Sequence, residues 1–341
     1  MATAKRRPIR VVTIGGGTGS YTLLRGLRQY HHELDISAIV AMTDSGGSTG
    51  RLRDEFGYLP VGDVRMALCA LASIDTSHQE LVRDLFQYRF AKGDGLSGHT
   101  CGNLLLTALT DILGSETEAI AVAGRMLDVV GCVLPVTEGV TSLVAEYQSG
   151  RVVVGEHDID VAPPEHHHDR ITSLYTSEPV HITAAVADAI VQADYIVFGP
   201  GDLYTSILAN CVIGGMKESL EKSQATKIYV SNLMARGGQT IGMNVCDYVE
   251  ELFRYTGTYP DVVITPTSLP TILVDRYQSV ESVHPVAMAP LPTGIRVITT
   301  PLVTETVVEP VSGDVVPRSL LRHDTNALTA TIMSVLHSDV G

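Results

Sequence analysis

Four glycines in five residues, Gly15-Gly16-Gly17-Thr18-Gly19, separate an apolar, β-branched run from Ile9 to Ile14 from the helical spacing of Tyr21, Leu23, Leu24 and Leu27. No other feature narrows the fold as much. A short β-branched run that stops at glycine and resumes with a helical period reads as strand, tight turn and helix. The pattern returns at once: Ile36 to Met42 is a second such run, Gly46, Gly47 and Gly50 follow it, and Val64 to Ala72 reads as a helix. Strands joined by helical crossovers pair in parallel, since an antiparallel pair needs only a hairpin.

Cys132 to Val136, Tyr195 to Phe198, Lys227 to Ser231 and Val262 to Thr265 are further short apolar runs, with helical patterns between most of them. The expected class is therefore α/β, a Rossmann-like, doubly wound and mostly parallel sheet covered on both faces. One stretch departs from it. Leu143 to Tyr147 and Val152 to Glu156 flank Ser149-Gly150 as a hairpin, and Pro163-Pro164 with His166 to His168 follows as a polar connection. This predicts a small antiparallel excursion or lid at about 140–176 within a single domain spanning 1–341. The three histidines suit either an exposed linker or a metal tract. Asp324 to Leu336 reads as a closing helix, with Asp324 as N-cap and Leu328, Ile332, Val335 and Leu336 on one face.

Charge and cysteine use exclude several functions. The net charge is −14, with 38 acidic against 24 basic residues, which opposes nucleic-acid binding. No charge-free stretch is long enough to span a bilayer. Five cysteines with no C-x-x-C pair signal neither a zinc site nor a complete disulfide framework, and Lys5-Arg6-Arg7 leads into a strand rather than an apolar leader. The expected location is the cytoplasm. Any bound phosphate must be held locally, by backbone N–H groups, helix N-termini and a few arginines.

The loops after the strands supply those groups. Gly15, Gly16, Gly17, Thr18 and Gly19 form the first candidate phosphate turn; it is not a Walker loop, and Ser20 stands where a dinucleotide fingerprint has its third glycine. Asp44 ends the second strand, where a dinucleotide-binding protein holds a ribose, but Gly46, Gly47, Ser48, Thr49 and Arg51 follow and suit a second anion. Asp63 and Arg65 open the next helix. Asp63 suits an N-cap, or with Asp44 a magnesium site against a pyrophosphate. His99 and Asn103 lie in another glycine turn entering a helix, and Gly199, Gly201, Tyr204, Thr205 and Ser206 in a third strand-end loop. Asn232, Gln239 and Thr240 offer amides and a hydroxyl for a base edge or a sugar, and Arg322, before the closing helix, offers a guanidinium for a pyrophosphate.

In order, Gly15 to Gly19, Asp44 to Arg53, Gly62-Asp63-Val64-Arg65, Gly98-His99 with Gly102-Asn103, Gly199-Pro200-Gly201 with Leu203 to Ser206, and Arg322-His323-Asp324 resemble the gluconeogenesis-factor (YvcK-type, CofD-like) family. That family is related to 2-phospho-L-lactate transferase, and the resemblance covers about 9–337. It implies a Rossmann-like fold and binding of a uridine-diphosphate sugar such as UDP-N-acetylglucosamine. It further implies a regulatory role linking gluconeogenic carbon metabolism to cell-wall synthesis and cell shape, exerted through a cytoplasmic protein partner. A homo-oligomer stays open. The enzymatic alternative is a phospholactyl-type transferase, with magnesium as the cofactor and Asp44 and Asp63 as its ligands. A nicotinamide-dependent enzyme is supported by the opening strand and turn alone. The chain departs from the family pattern at Ser45, where a second aspartate is common, at Met66, where asparagine is common, and at Asp202, where serine is usual.

Overall fold

The computed structural model describes residues 7–281, 283–303 and 321–338. Lys5 and Arg6 lie outside them. Strand β1 (Ile9–Gly15) runs through the glycine turn into helix α1 (Gly17–Leu27), and β2 (Leu34–Val40) into α2 (Gly47–Phe56) and α3 (Gly62–Leu71). Helices α4 (Ser77–Gln87), α5 (Cys101–Leu113) and α6 (Glu116–Met126) precede β3 (Cys132–Pro135). Next come β4 (Leu143–Tyr147), β5 (Val152–Val154), the short helix α7 (Glu156–Asp160) and β6 (Ile171–Thr176). The chain then returns through α8 (Ala184–Gln192) to β7 (Tyr195–Phe198), a π-helix (Leu203–Leu208), α9 (Ala209–Cys211) and α10 (Met216–Lys222). It ends in β8 (Thr226–Val230), α11 (Val245–Thr256), β9 (Val262–Pro266), α12 (Thr271–Glu281), β10 (Arg296–Thr300) and α13 (Thr325–Ser338).

Seven parallel strands form one sheet in the order β10-β9-β8-β7-β1-β2-β3. Helices cover both faces, so the inner strands are apolar throughout rather than alternating: all four residues of β7 are buried, as are Val262 to Thr265 of β9. The expected fold class holds. Strand order runs outward from β1 in one direction through β2 and β3, and in the other through β7 to β10. The connections therefore diverge at the β1–β7 pair and leave a crevice beyond the carboxyl ends of these two strands.

The antiparallel excursion is a separate three-stranded sheet in the order β5-β4-β6. The Tyr255 hydroxyl on α11 accepts the Leu174 N–H at 2.8 Å, and Arg254 donates to Thr172 O at 2.9 Å. Two differences from the sequence reading have local causes. Gly155 adopts φ +107°, which ends β5 at Val154 and starts α7 where the periodicity predicts more strand. The segment after Asp44, read as an anion loop, is helical from Gly47, so Ser48, Thr49 and Arg51 lie within α2. Among the described residues no helix is long and apolar enough to cross a membrane.

Helix α13 closes the face that carries α1. Asp324 accepts the Ala327 N–H at 2.8 Å as the expected N-cap, and Leu328, Ile332, Val335 and Leu336 are buried. The two helices meet at Gly26, where an added Cβ would overlap Thr329 Oγ1. Gly26→Ala should therefore lower stability by roughly 1–3 kcal/mol, the cost of overpacking. Thr329→Ala in the same chain should recover much of that loss, as read from urea unfolding midpoints; strictly additive losses would place the contact elsewhere.

Candidate functional site

The glycines of the first turn divide into those that packing requires and those that stay open. A Cβ on Gly15 would lie 2.6 Å from Ser20 Oγ and 3.8 Å from Gly199 Cα, and one on Gly19 would overlap the Pro200 carbonyl. These two glycines let the β1 and β7 loops touch. Gly17 differs. Its φ is +62°, and a Cβ there would meet nothing nearer than Ser206 Oγ at 4.0 Å, so its open side faces the crevice. Gly47, at φ +49° and the start of α2, has nothing within 4 Å. Thr18 is exposed, whereas Gly46 lies under His157.

Two carboxylates stand between these open turns. Asp44 accepts the Gly46 N–H at 2.8 Å through Oδ1. Asp63 does not cap its own helix, where Val61 holds the N-cap position without a side-chain bond; its Oδ1 crosses to accept the Gly17 N–H at 2.9 Å. An aspartate of α3 thus caps the first turn of α1, and its Oδ2 sits where a Cβ on Gly16 would fall. The N–H group expected to greet a phosphate is already paired. Burial raises the Asp63 carboxyl, the neighbouring Asp44 raises it further, and the Gly17 N–H and Arg65 hold it at about 7. Burial likewise raises Asp44, against the Gly46 N–H and Thr49.

Behind them a buried polar relay holds Asp44 in place. Asn103 donates its amide N–H groups to Ser48 Oγ and Thr49 Oγ1, both at 3.3 Å, and its Oδ1 accepts from Arg65 Nε at 2.8 Å. Ser48 Oγ lies 3.0 Å from His99 Nδ1, and burial followed by Arg51 lowers the His99 pKa. Thr49 hydrogen-bonds Asp44. Ser48, Thr49, His99 and Asn103 are thus placed to orient the site, while Arg51 is exposed and donates to Ser97 O at 3.2 Å.

Across the crevice, Asn232 donates to Gly201 O at 2.7 Å and ties the loops after β7 and β8 together. Tyr204 and Thr205 are buried, with the Tyr204 hydroxyl on Ile171 O at 3.4 Å; Ser206 keeps an open side near Gly17. Thr240 is buried and accepts from Arg236 N and Tyr248 Oη, each at 2.8 Å. At this edge His323, next to Arg322 in the chain, is fixed to Ser231 O at 3.2 Å; burial pushes that imidazole down to about 4, so it is neutral and donates through Nε2. Sequence reasoning missed Asp160 of α7 and its partner Arg236, which pair at 2.8 Å; Gln239, expected to face a ligand, donates to Asp160 Oδ1 at 3.3 Å. The Glu156-His157-Asp158-Ile159-Asp160 run after a glycine was the only available signal.

Residues 11–303 match the family model described as 2-phospho-L-lactate transferase CofD, and the Bacillus subtilis gluconeogenesis factor is 36% identical over 96% of this chain and 98% of its own length. The chain belongs to the gluconeogenesis-factor family of CofD-like proteins. Another gluconeogenesis-factor relative, designated putative in Aquifex aeolicus, is 38% identical over 98% of each chain. A crystal structure of a UPF0052 family member from Bacillus halodurans shares the fold of this CofD-like chain, with TM-score 0.83 and 33% identity over 96% of this chain and 99% of that one.

The raised Asp63 carboxyl has a sign that can be tested. A folded-state pKa above the ordinary carboxylate value means that the native protein binds the proton more tightly, so its contribution falls as pH rises toward about 7. Asp63→Asn keeps an acceptor for Gly17 and removes the charge. It should raise the thermal midpoint of the ligand-free protein at about pH 8, and the gain should vanish near pH 5, where Asp63 is already protonated. A loss at both pH values would mean that the charge itself stabilises the turn.

Proposed function

We propose that this protein binds a nucleoside-diphosphate sugar, a UDP sugar such as UDP-N-acetylglucosamine, in the crevice at the β1–β7 switch point. We further propose that it acts as a regulatory protein linking gluconeogenic carbon metabolism to cell-wall synthesis. One observation carries the ligand class: Gly17 and Gly47, with open faces at two helix starts, flank the Asp44–Asp63 carboxylate pair. Two anion-accepting turns beside a cation-accepting pair suit a diphosphate that arrives with a divalent ion.

The residues fit magnesium in that role. Asp44 and Asp63 each commit Oδ1 to a backbone N–H, while the second Asp44 oxygen lies by the start of α3 and the second Asp63 oxygen by the start of α1. Among the described residues no three His, Cys, Asp or Glu side chains group as a metal site by themselves. Magnesium characteristically takes one or two carboxylates and completes its shell with water and substrate phosphates, which supports joint binding of ion and diphosphate. The same pair, with the CofD family description, favours phospholactyl-type transfer as the second reading, in which the ion would offset charge on the transferred phosphate.

A thermal-shift panel separates these readings. UDP-N-acetylglucosamine with magnesium should raise the unfolding midpoint, the sugar nucleotide alone should do so far less, and NAD should have no effect. Stabilisation by NAD alone would overturn the proposal, and sustained release of UDP during incubation would favour the transferase. Arg322→Ala should weaken UDP-sugar binding by about 1.5–3 kcal/mol in calorimetry, the range for a charge-assisted hydrogen bond. Unchanged affinity in that variant would remove Arg322 from the site.

A further inference from the structure

The segment after β7 meets the first glycine turn through a widened stretch of helix. Asp202 O accepts the Ser206 N–H at 3.0 Å and also the Ile207 N–H at 3.1 Å, and the second bond, five residues on, belongs to the π-helix (Leu203–Leu208). Such widened turns are rare and gather at functional sites. Ser206 lies within this one. Its Oγ is 4.0 Å from where a Cβ on Gly17 would fall, on the open side of that glycine, and the hydroxyl has no hydrogen-bond partner among the described residues.

One buried amide joins this stretch to β1. Asn210 of α9 is fully buried, and its Nδ2 donates to Ser206 O at 2.8 Å and to Gly15 O, 195 positions earlier, at 3.4 Å. Ile14 O accepts the Gly199 N–H at 3.0 Å, so the segment after β7 holds both carbonyls at the end of β1. Both partners of Nδ2 are carbonyl oxygens that can only accept, so a flipped amide would set oxygen against oxygen, and the orientation is fixed. Oδ1 of the same amide is buried without a partner. Packing alone does not account for that unmade acceptor, because a leucine of similar size would fill the space without it. What distinguishes Asn210 is the pair of segments it bridges.

We propose that Asn210 is a positioning residue of the crevice, holding the Ser206 hydroxyl against the open side of Gly17 so that both meet one phosphate of a bound nucleoside diphosphate. The phosphate rests on the proposed function; the bridge does not. Asp63 already takes the Gly17 N–H, so a neutral hydroxyl donor from the facing loop supplies a contact that the glycine turn by itself lacks. A hydroxyl held in place before binding spares the entropy of ordering its loop when the ligand arrives.

Calorimetry with UDP-N-acetylglucosamine and magnesium chloride on wild type, Asn210→Leu, Ser206→Ala and the double variant tests the role. Each single substitution should weaken binding roughly tenfold, the loss of one hydrogen bond to a charged group. The double variant should bind no more weakly than either single one, because Asn210 acts through Ser206. Additive losses, or wild-type affinity in either single variant, overturn the inference. Hydrogen exchange of the full chain without ligand reads the bridge separately. Asn210→Leu should speed exchange severalfold in peptides covering 15–20 and 199–212 and leave 245–256 at wild-type rates. Unchanged exchange in the first two segments, or an equal increase in all three, overturns the bridge. Faster exchange confined to the first two, combined with no calorimetric binding by wild type, upholds the bridge and overturns the proposed ligand. If the leucine variant does not fold, Asn210→Ser, too short to span both carbonyls, takes its place with the same expected outcomes.

Discussion

The bond from the Gly17 N–H to Asp63 Oδ1 joins two helices that start at the crevice, and the rest of the site is arranged around it. It satisfies one of the orphan donors that begin any helix and places a carboxyl oxygen at the positive end of the α1 dipole. It also draws α3 toward the first glycine turn, which puts Asp63 close enough to Asp44 for each carboxyl to feel the other. A side chain on Gly16 would displace this carboxylate, so that glycine is required by an acid 47 positions later in the chain rather than by a ligand.

The consequence is an acidic crevice. An ordinary phosphate-binding turn offers unpaired N–H groups to its ligand, but here a carboxylate already takes the leading one, and a second carboxylate lies beside it. Placing more negative charge there is unfavourable unless a cation comes with it. The buried relay of Asn103, Ser48, Thr49 and His99 explains why the acids hold their positions despite mutual repulsion. Hydrogen bonds from the Gly46 N–H and Thr49 fix Asp44 without bringing a cation to it.

Much of this was legible in advance. Runs of buried β-branched residues ending in glycine announce parallel strands, and the recurrence of such ends after β1, β2, β7 and β8 announces loops gathered at the sheet's carboxyl edge. The capping residue and buried face of α13 also followed from spacing alone. Local pattern could not separate residues facing the crevice from residues supporting it. Ser48 and Asn103 look in sequence like ligand donors, yet both spend their polar atoms on neighbours 55 positions apart.

The sequence by itself determined the class of fold, the parallel pairing and the four strand-end loops, because these depend on short-range periodicity and on where glycine permits a turn. Only the tertiary structure decided that β1 lies beside β7, which makes their divergence the crevice. It also decided that Asp63 serves the helix of another segment, that Gly15 and Gly19 are spacers while Gly17 is open, and that α7 brings Asp160 onto Arg236 in the loop after β8. Each of these is a contact between residues far apart in the chain. Whether a carboxylate caps, binds a cation or repels a neighbour depends on the charges and donors around it, and those are known only once the chain has folded.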